Sequence, residues 1–216
     1  VDDGRRTFAN TMKYISITTS ANFGNMVSMA FASLALPFLP LLATQILLNN
    51  FLADAPSLAI ASDNVDADQV QSPRRWDIGF VRRFMITFGL ISSAFDFVTF
   101  AFLLFVAGAT ASLFQTGWFV ESLITQLAIV LVVRTRNSFW RSRPSALLAA
   151  LTLAVGCLAV AIPYLPIAPW FGFVPLPLGV MAALLPITLA YLAVSETAKH
   201  WFFARQHVHA DARRRR

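Results

Sequence analysis

Long apolar segments alternate with short polar ones along the whole sequence. The hydrocarbon core of a bilayer is about 30 Å thick, so a helix that crosses it needs about 20 mostly apolar residues. Six segments meet or approach this length, and linkers that contain proline or charged residues separate them. The pattern predicts an all-α fold, an integral membrane bundle of six transmembrane helices. The predicted spans are residues 21–36, 38–53, 84–107, 118–133, 146–162 and 178–194.

The composition supports a lipid environment. Hydrophobic residues make up 57% of the 216 residues and charged residues 13%, whereas a soluble domain carries about 25% charged residues. So few charges cannot cover a surface in contact with water, and the predicted partner of the outer surface is the lipid bilayer. The net charge of +6 lies in short loops between apolar runs, which argues against nucleic acid as a partner.

The distribution of lysine and arginine predicts the topology. With six spans, all 17 of these residues fall on one side of the membrane, and the loops at 37–40, 108–117 and 163–177 contain none. Because cytoplasmic loops carry the excess of basic residues, both termini are expected in the cytoplasm. The segments expected there are a polar stalk at residues 1–20, a loop at 54–80 and a basic tail at 205–216.

Four acidic residues fall in or near the spans, namely Asp54, Asp96, Glu121 and Glu196. A charge at the centre of a bilayer costs about 2.5–3.5 kcal/mol on insertion scales, so such residues are functional candidates. No lysine or arginine lies in the middle of a span to pair with them. Their partner is therefore expected to be a transported cation, a proton or polar groups at helix ends. Glu196 differs, because Lys199 lies three residues on and predicts an interfacial ion pair.

The first two spans carry the richest polar pattern. Asn22 and Asn25 share a helix face because they are three residues apart, and Asn50 and Asp54 share a face because they are four apart. Asn49 lies beside the second pair. The short connection predicts that the two helices pack as antiparallel neighbours. Amide and carboxylate oxygens on facing helices would form a site for a hard cation, although interhelical hydrogen bonding is the alternative interpretation.

Asp96 and Glu121 are further candidates for an ion path. Asp96 has Ser92, Ser93 and Thr99 at helical neighbour spacings, which would also suit a satisfied polar cluster inside the bundle. Glu121 lies in the first part of the fourth predicted span, where it could line an access path or cap the site. The residues alone leave both alternatives open.

Several segments resemble P-type ATPases. Residues 4–14 look like the stalk that enters the fifth membrane helix, and residues 20–25, Ser-Ala-Asn-Phe-Gly-Asn, are similar to the Ser-x-Asn-x-Gly-Glu run of that helix in the calcium pump. Residues 45–54 resemble the Gln-x-x-x-x-Asn-Leu-x-x-Asp run of the sixth helix. Residues 115–122 and 134–138 look like the eighth helix and its exit. Over essentially its whole length the chain most resembles bacterial magnesium-transporting P-type ATPases of the type III B group.

This resemblance implies the fifth to tenth transmembrane helices of an ATP-driven magnesium importer in a bacterial inner membrane. It implies that Asn22, Asn25, Asn50 and Asp54 contribute to the site of the transported Mg²⁺. Asn25 stands where the calcium pump has glutamate, and Ala53 matches its threonine, so one divalent ion is expected rather than two. The implied partners are the upstream cytoplasmic domains, through which ATP would act, and the first four transmembrane helices.

Other features limit what this chain is expected to do alone. It has no Asp-Lys-Thr-Gly-Thr phosphorylation motif, nucleotide-binding segment or Thr-Gly-Glu actuator motif, so by itself it is expected to be catalytically incompetent. It begins with Val1 rather than Met, which suggests a fragment, a processed chain or a missing upstream part. The alternatives are a stand-alone six-helix channel or secondary transporter, which often shows an inverted repeat that is not visible here, and a non-catalytic remnant.

Overall fold

The computed structural model describes the backbone of residues 2–65, 77–135 and 137–214, and the side chains of these residues from 3 to 204. The described residues are helical and contain no strand, which confirms the predicted all-α class. Residues 66–76 of the predicted loop and the side chains of the predicted basic tail lie outside this description. The α-helices are α1 (Asp2–Ala35), α2 (Ala43–Ala59), α3 (Ile78–Ala101), α4 (Ala111–Val133), α5 (Ala146–Ala161) and α6 (Leu178–Arg214).

Short helical segments extend three of these helices. A 3-10 turn, Ile60–Ser62, follows α2, a π-helical stretch, Phe102–Val106, follows α3, and a 3-10 turn, Ile162–Tyr164, follows α5. Within the described ranges, four helices are then long and apolar enough to cross a membrane. They are Ile78–Val106, Ala111–Val133, Ala146–Tyr164 and Leu178–Ala204. Spanning by α1 and α2 stays a prediction.

Two predicted boundaries at the start of the chain are wrong. The second helix begins at Ala43, not at residue 38, because Pro37 and Pro40 interrupt the helical hydrogen bonds. It continues to Ala59, so the loop predicted at 54–80 starts later. Pro56 lies inside α2, and a proline there leaves one backbone hydrogen bond unmade without ending the helix.

Capping side chains explain where three later helices begin. Asp77 accepts a hydrogen bond from the Phe80 amide at the start of α3. Thr110 and Ser145 do the same for α4 and α5. Such caps satisfy the free amides of a first helical turn. Because of its cap, α4 begins well before residue 118, the predicted start, and the uncharged turn before it is shorter than expected. Helix α6 continues past residue 194, the predicted end of the sixth span, and extends into the predicted tail as far as Arg214.

Helix α4 occupies the centre of the bundle and contacts all five other helices. Its side chains are buried over most of its length, among them Phe114, Trp118, Phe119 and Leu123. The other helices instead expose large apolar side chains such as Phe51, which is 74% exposed. A central helix that is buried all round, within outer helices that are apolar on their outer faces, is the arrangement expected in lipid.

Helices α1 and α3 form the most extensive helix pair of the fold. Gly24 of α1 and Gly89 of α3 lie against each other, and a Cβ atom built on Gly24 would lie 3.0 Å from the Gly89 carbonyl oxygen. The Ser93 hydroxyl donates to the Gly24 carbonyl at 2.9 Å. The predicted contact between α1 and α2 is present but small. Helix α1 packs mainly on α3, α2 packs on α4 and α5, and α1 meets the α2 segment chiefly at the 3-10 turn Ile60–Ser62.

Buried ion pairs join several helices at one end of the bundle, here called the basic end. The Asp63 carboxylate, after α2, is paired with Lys13 of α1 and with Arg134 after α4, each at 3.2 Å. It also accepts a hydrogen bond from the Ser145 amide at 3.1 Å, at the start of α5. One buried carboxylate thus connects four helices. At the same end, the predicted Glu196–Lys199 ion pair is confirmed at 2.8 Å.

Uncharged hydrogen bonds join the loops at the opposite end, here called the neutral end. The Gln45 side chain of α2 donates to the Phe171 carbonyl at 2.8 Å, and the Gln115 side chain of α4 donates to the Leu39 carbonyl at 2.7 Å. The Tyr164 hydroxyl donates to the Leu176 carbonyl at 2.8 Å. The segments between helices at this end contain no Asp, Glu, Lys, Arg or His.

We predict that Asp63→Ala strongly destabilises the fold, because it removes the buried carboxylate with which Lys13 and Arg134 both form ion pairs. Breaking a buried pair in this way costs about 3–5 kcal/mol. The midpoint of thermal unfolding in lipid nanodiscs, followed by near-ultraviolet circular dichroism, should fall. Asp77→Asn is the matched control, since asparagine caps a helix as well as aspartate. Equal midpoints for the two variants would contradict this account.

We also predict that Gly89→Ala destabilises the α1–α3 pair. A Cβ atom there would lie 2.6 Å from the Phe23 ring and 3.0 Å from the Ser20 carbonyl oxygen, and overpacking of this kind costs about 1–3 kcal/mol. Gly156→Ala is the control, because its Cβ atom would meet only Leu127, at 3.7 Å. The same unfolding measurement should show a lower midpoint for the first variant only.

Candidate cation site and the polar interior

A cleft with a volume of about 190 Å³ lies between α1, α2 and α4. Three of the four predicted cation ligands line it, namely Asn22 from α1 and Asn50 and Asp54 from α2. Their side chains are exposed to the cleft, and none is hydrogen-bonded to another residue in the described part of the chain. The remaining lining residues are Ile17, Thr18, Ala21, Ala53, Ser57, Gln126 and Val130.

Helical spacing and small side chains produce this cleft. Asn50, Asp54 and Ser57 follow one another at four- and three-residue intervals, so they form one polar stripe on α2. Ala21 and Ala53 line the space between the helices and are too short to fill it. The cleft therefore stays open where α1 and α2 would otherwise meet, and oxygen-bearing side chains surround it.

The lining has the chemistry of a site for a hard cation. Mg²⁺ binds oxygen ligands, loses its water reluctantly and is usually held by one or two carboxylates. Asp54 is the carboxylate of the lining. The described residues contain no group of three or more His, Cys, Asp or Glu side chains placed to hold a metal. A water molecule takes about 30 Å³ of liquid, so the cleft has room for a cation that keeps several waters.

Asn25, the fourth predicted ligand, and Asn49, predicted as a possible residue of the ion path, make other contacts. Asn25 accepts a hydrogen bond from the Ser122 hydroxyl of α4 at 3.4 Å. Asn49 is buried and accepts one from the Gln126 amide of α4 at 2.8 Å. Gln126 also donates to Ser122 at 3.0 Å. This chain of hydrogen bonds connects α1 and α2 to α4, which is the role that interhelical polar contacts commonly have in membranes.

Gln126 is one of the polar lining residues that sequence reasoning did not select for the site. Gln126 belongs both to the cleft and to the hydrogen-bond chain, since it lines the cleft and also joins Asn49 to Ser122. A glutamine in the middle of an apolar run, four residues from a serine, is the signal that could have identified it.

Asp96 and Glu121 lie in the interior and do not line the cleft. Each is 1% exposed. The partners of Asp96 come from other helices and not from its own predicted neighbours. The Ser28 hydroxyl of α1 donates to it at 2.5 Å, and the Trp118 indole of α4 donates at 3.0 Å. Neither Glu121 oxygen has a hydrogen-bond partner in the described chain.

Comparison with known proteins agrees with this architecture. Residues 38–201 match the family model described as "Cation transporting ATPase, C-terminus". The chain belongs to this family. Its match to the family model begins in the segment before α2 and ends within α6, so it includes the Asn50 and Asp54 side of the cleft, together with Asp96 and Glu121.

Magnesium-transporting P-type ATPases are similar over almost the whole chain. "Magnesium-transporting ATPase, P-type 1" from Salmonella typhimurium strain LT2 is 42% identical over 210 residues, or 95% of this chain. The protein of the same name from Escherichia coli K12 is also 42% identical over 95%. A second one from the LT2 strain is 38% identical over 94%. These matches confirm the resemblance found in the sequence. The chain spans 23% of the length of each relative.

Proposed function

We propose that this chain is the C-terminal membrane domain of an ATP-driven importer of magnesium, or of another divalent cation, and contributes part of its ion site. The observation that carries the proposal is the cleft in which Asn22, Asn50 and Asp54 present unpaired polar side chains. The similarity to magnesium-transporting relatives supports Mg²⁺ as the transported ion. In this proposal α1 to α6 all cross the membrane and correspond to the fifth to tenth helices of a P-type ATPase.

Asp54 would supply the charge of the site, and Asn22 and Asn50 would supply neutral oxygens. Asn25, about one turn from Asn22 on α1, would complete the ligand set from deeper in the bundle. A site with one carboxylate and several amides neutralises a divalent ion only in part. Such a site would hold a partly hydrated ion weakly enough to release it, which transport requires.

The remaining ligands would come from helices outside this chain. The cleft lies beside the packed centre of the bundle, and a neighbouring helix could enter it and add backbone carbonyls. ATP would act through cytoplasmic domains that this chain lacks, by phosphorylation of an aspartate and a cycle of alternating access. The stalk at residues 1–20, which is continuous with α1, would carry motion from those domains to Asn22.

A stand-alone channel or secondary transporter is disfavoured by the packing of the centre. Such a protein needs a continuous path through its own helices, whereas buried side chains of α4 fill the middle of this bundle. The polar cleft lies to one side, where further helices would have to complete it.

We predict that Asp54→Asn in the intact ATPase weakens activation by Mg²⁺ at least about tenfold, since even indirect supporting groups of a metal site contribute that much affinity. The measurement is ATPase activity in nanodiscs against free Mg²⁺ concentration, with Asp77→Asn as the control. An unchanged Mg²⁺ dependence would remove Asp54 from the site.

Asn49 and Asn50 provide a second, matched comparison in the same assay. Asn50→Ala should weaken Mg²⁺ activation and leave thermal stability unchanged, because its exposed side chain lines the cleft and has no hydrogen-bond partner in the described chain. Asn49→Ala should mainly lower stability, because it leaves a buried Gln126 donor unpaired. If the two variants behave alike, the assignment of the two helix faces is wrong.

We further propose a bacterial inner-membrane protein with the basic end and both termini in the cytoplasm. The positive-inside rule supports this orientation. An alkaline phosphatase reporter fused after Arg216 should be inactive, and one inserted at 165–167 should be active, because that enzyme folds only outside the cytoplasm. Activity after Arg216 would contradict the count of six spans.

A further inference from the structure

Two buried carboxyl groups face each other in the interior of the bundle. Asp96 of α3 and Glu121 of α4 lie close enough to interact directly. The described chain offers no ion-pair partner to either residue, since every salt bridge found there involves another acid. The Tyr191 hydroxyl of α6, which carries no charge, lies near both.

The chain itself encloses this pair. Both side chains are 1% exposed, so groups from lipid or from another protein have no access to them. Whatever compensates the charges must therefore lie within the enclosure. Two ionised carboxylates in such surroundings would repel each other and would also lose their hydration, which costs several kcal/mol for each ion.

The hydrogen-bond donors are distributed unequally between the two groups. Asp96 accepts one hydrogen bond at each of its oxygens, from Ser28 and from Trp118. Hydrogen bonds of this kind stabilise the ionised form. Glu121 accepts none at either oxygen. Two acceptor groups are thus in contact with no donor between them, and a single proton would convert this contact into a hydrogen bond.

We propose that Asp96 and Glu121 form a proton-binding site in which Glu121 is protonated and donates its proton to the Asp96 carboxylate. The pair then carries one negative charge, which Ser28 and Trp118 solvate together with the Glu121 hydroxyl. Every oxygen of Asp96 then has a donor, and the buried Glu121 side chain is neutral. This inference does not depend on the proposed cation site, because neither residue lines the cleft.

The sequence permits a direct test, because Glu121 and Glu196 are its two glutamates. The full chain is labelled with ¹³C at the side-chain carboxyl carbon of glutamate, reconstituted in lipid nanodiscs and measured by solid-state NMR at neutral pH. We expect one resonance at the carboxylate position, from Glu196, which is paired with Lys199 at 2.8 Å. We expect the other, from Glu121, at the upfield position of a protonated carboxylic acid.

Two variants assign the resonances. Glu121→Gln should remove the upfield resonance, and it preserves the packing because a glutamine amide can also donate to Asp96. Glu196→Gln should remove the carboxylate resonance and leave the upfield one, so the assignment survives if the first variant does not fold. Both resonances at the carboxylate position, or an upfield resonance that Glu196→Gln removes, would overturn the proposal.

Discussion

The enclosure of α4 by the other helices is the constraint on which the remaining structure depends. A helix in this position has little access to water, so hydrogen bonds within the protein must satisfy its buried polar side chains, and three of them do so through neighbouring helices. Trp118 reaches Asp96 on α3, Ser122 reaches Asn25 on α1, and Gln126 reaches Asn49 on α2. These contacts fix the depth at which three helices dock against the central one.

The cleft is a consequence of this arrangement. Asn25 and Asn49 are hydrogen-bonded to α4. Asn22, about one turn from Asn25, and Asn50, the residue after Asn49, line the cleft instead. The hydrogen bonds to α4 therefore hold α1 and α2 at a fixed separation. Within the same polar segments, Asn25 and Asn49 hold the helices together, whereas Asn22 and Asn50 line the candidate cation site. The sequence alone did not separate these two roles.

Helical periodicity was sufficient to predict part of this organisation. It placed Asn50 and Asp54 on one face of α2 and identified the apolar runs of α3 to α6. It could not predict the α1–α3 contact, because the close approach at Gly24 and Gly89 depends on which two helices meet. It also could not pair Asp96 with Glu121, since the contact joins two helices and the local sequence around Asp96 offered Ser92 and Ser93 as nearer partners.

The starts of α2 and α4 were also only partly predictable from the sequence. Pro40 indicated that α2 could begin after residue 40, but the apolar residues around it were equally compatible with a longer span. The N-cap at Thr110 precedes a segment that looks like a loop by composition, and its effect appears only when α4 is seen to be buried from its first turns.

The neutral end of the bundle has a consequence for the conditions under which the protein works. In the proposed topology this end faces the periplasm, where acidity and ionic strength follow the surroundings of the cell. Its loops are fastened by amide and hydroxyl groups to carbonyl oxygens, and such bonds neither titrate in the physiological range nor weaken through screening by salt. The outward surface can thus keep its shape across habitats, while the charged contacts remain in the buffered interior of the cell.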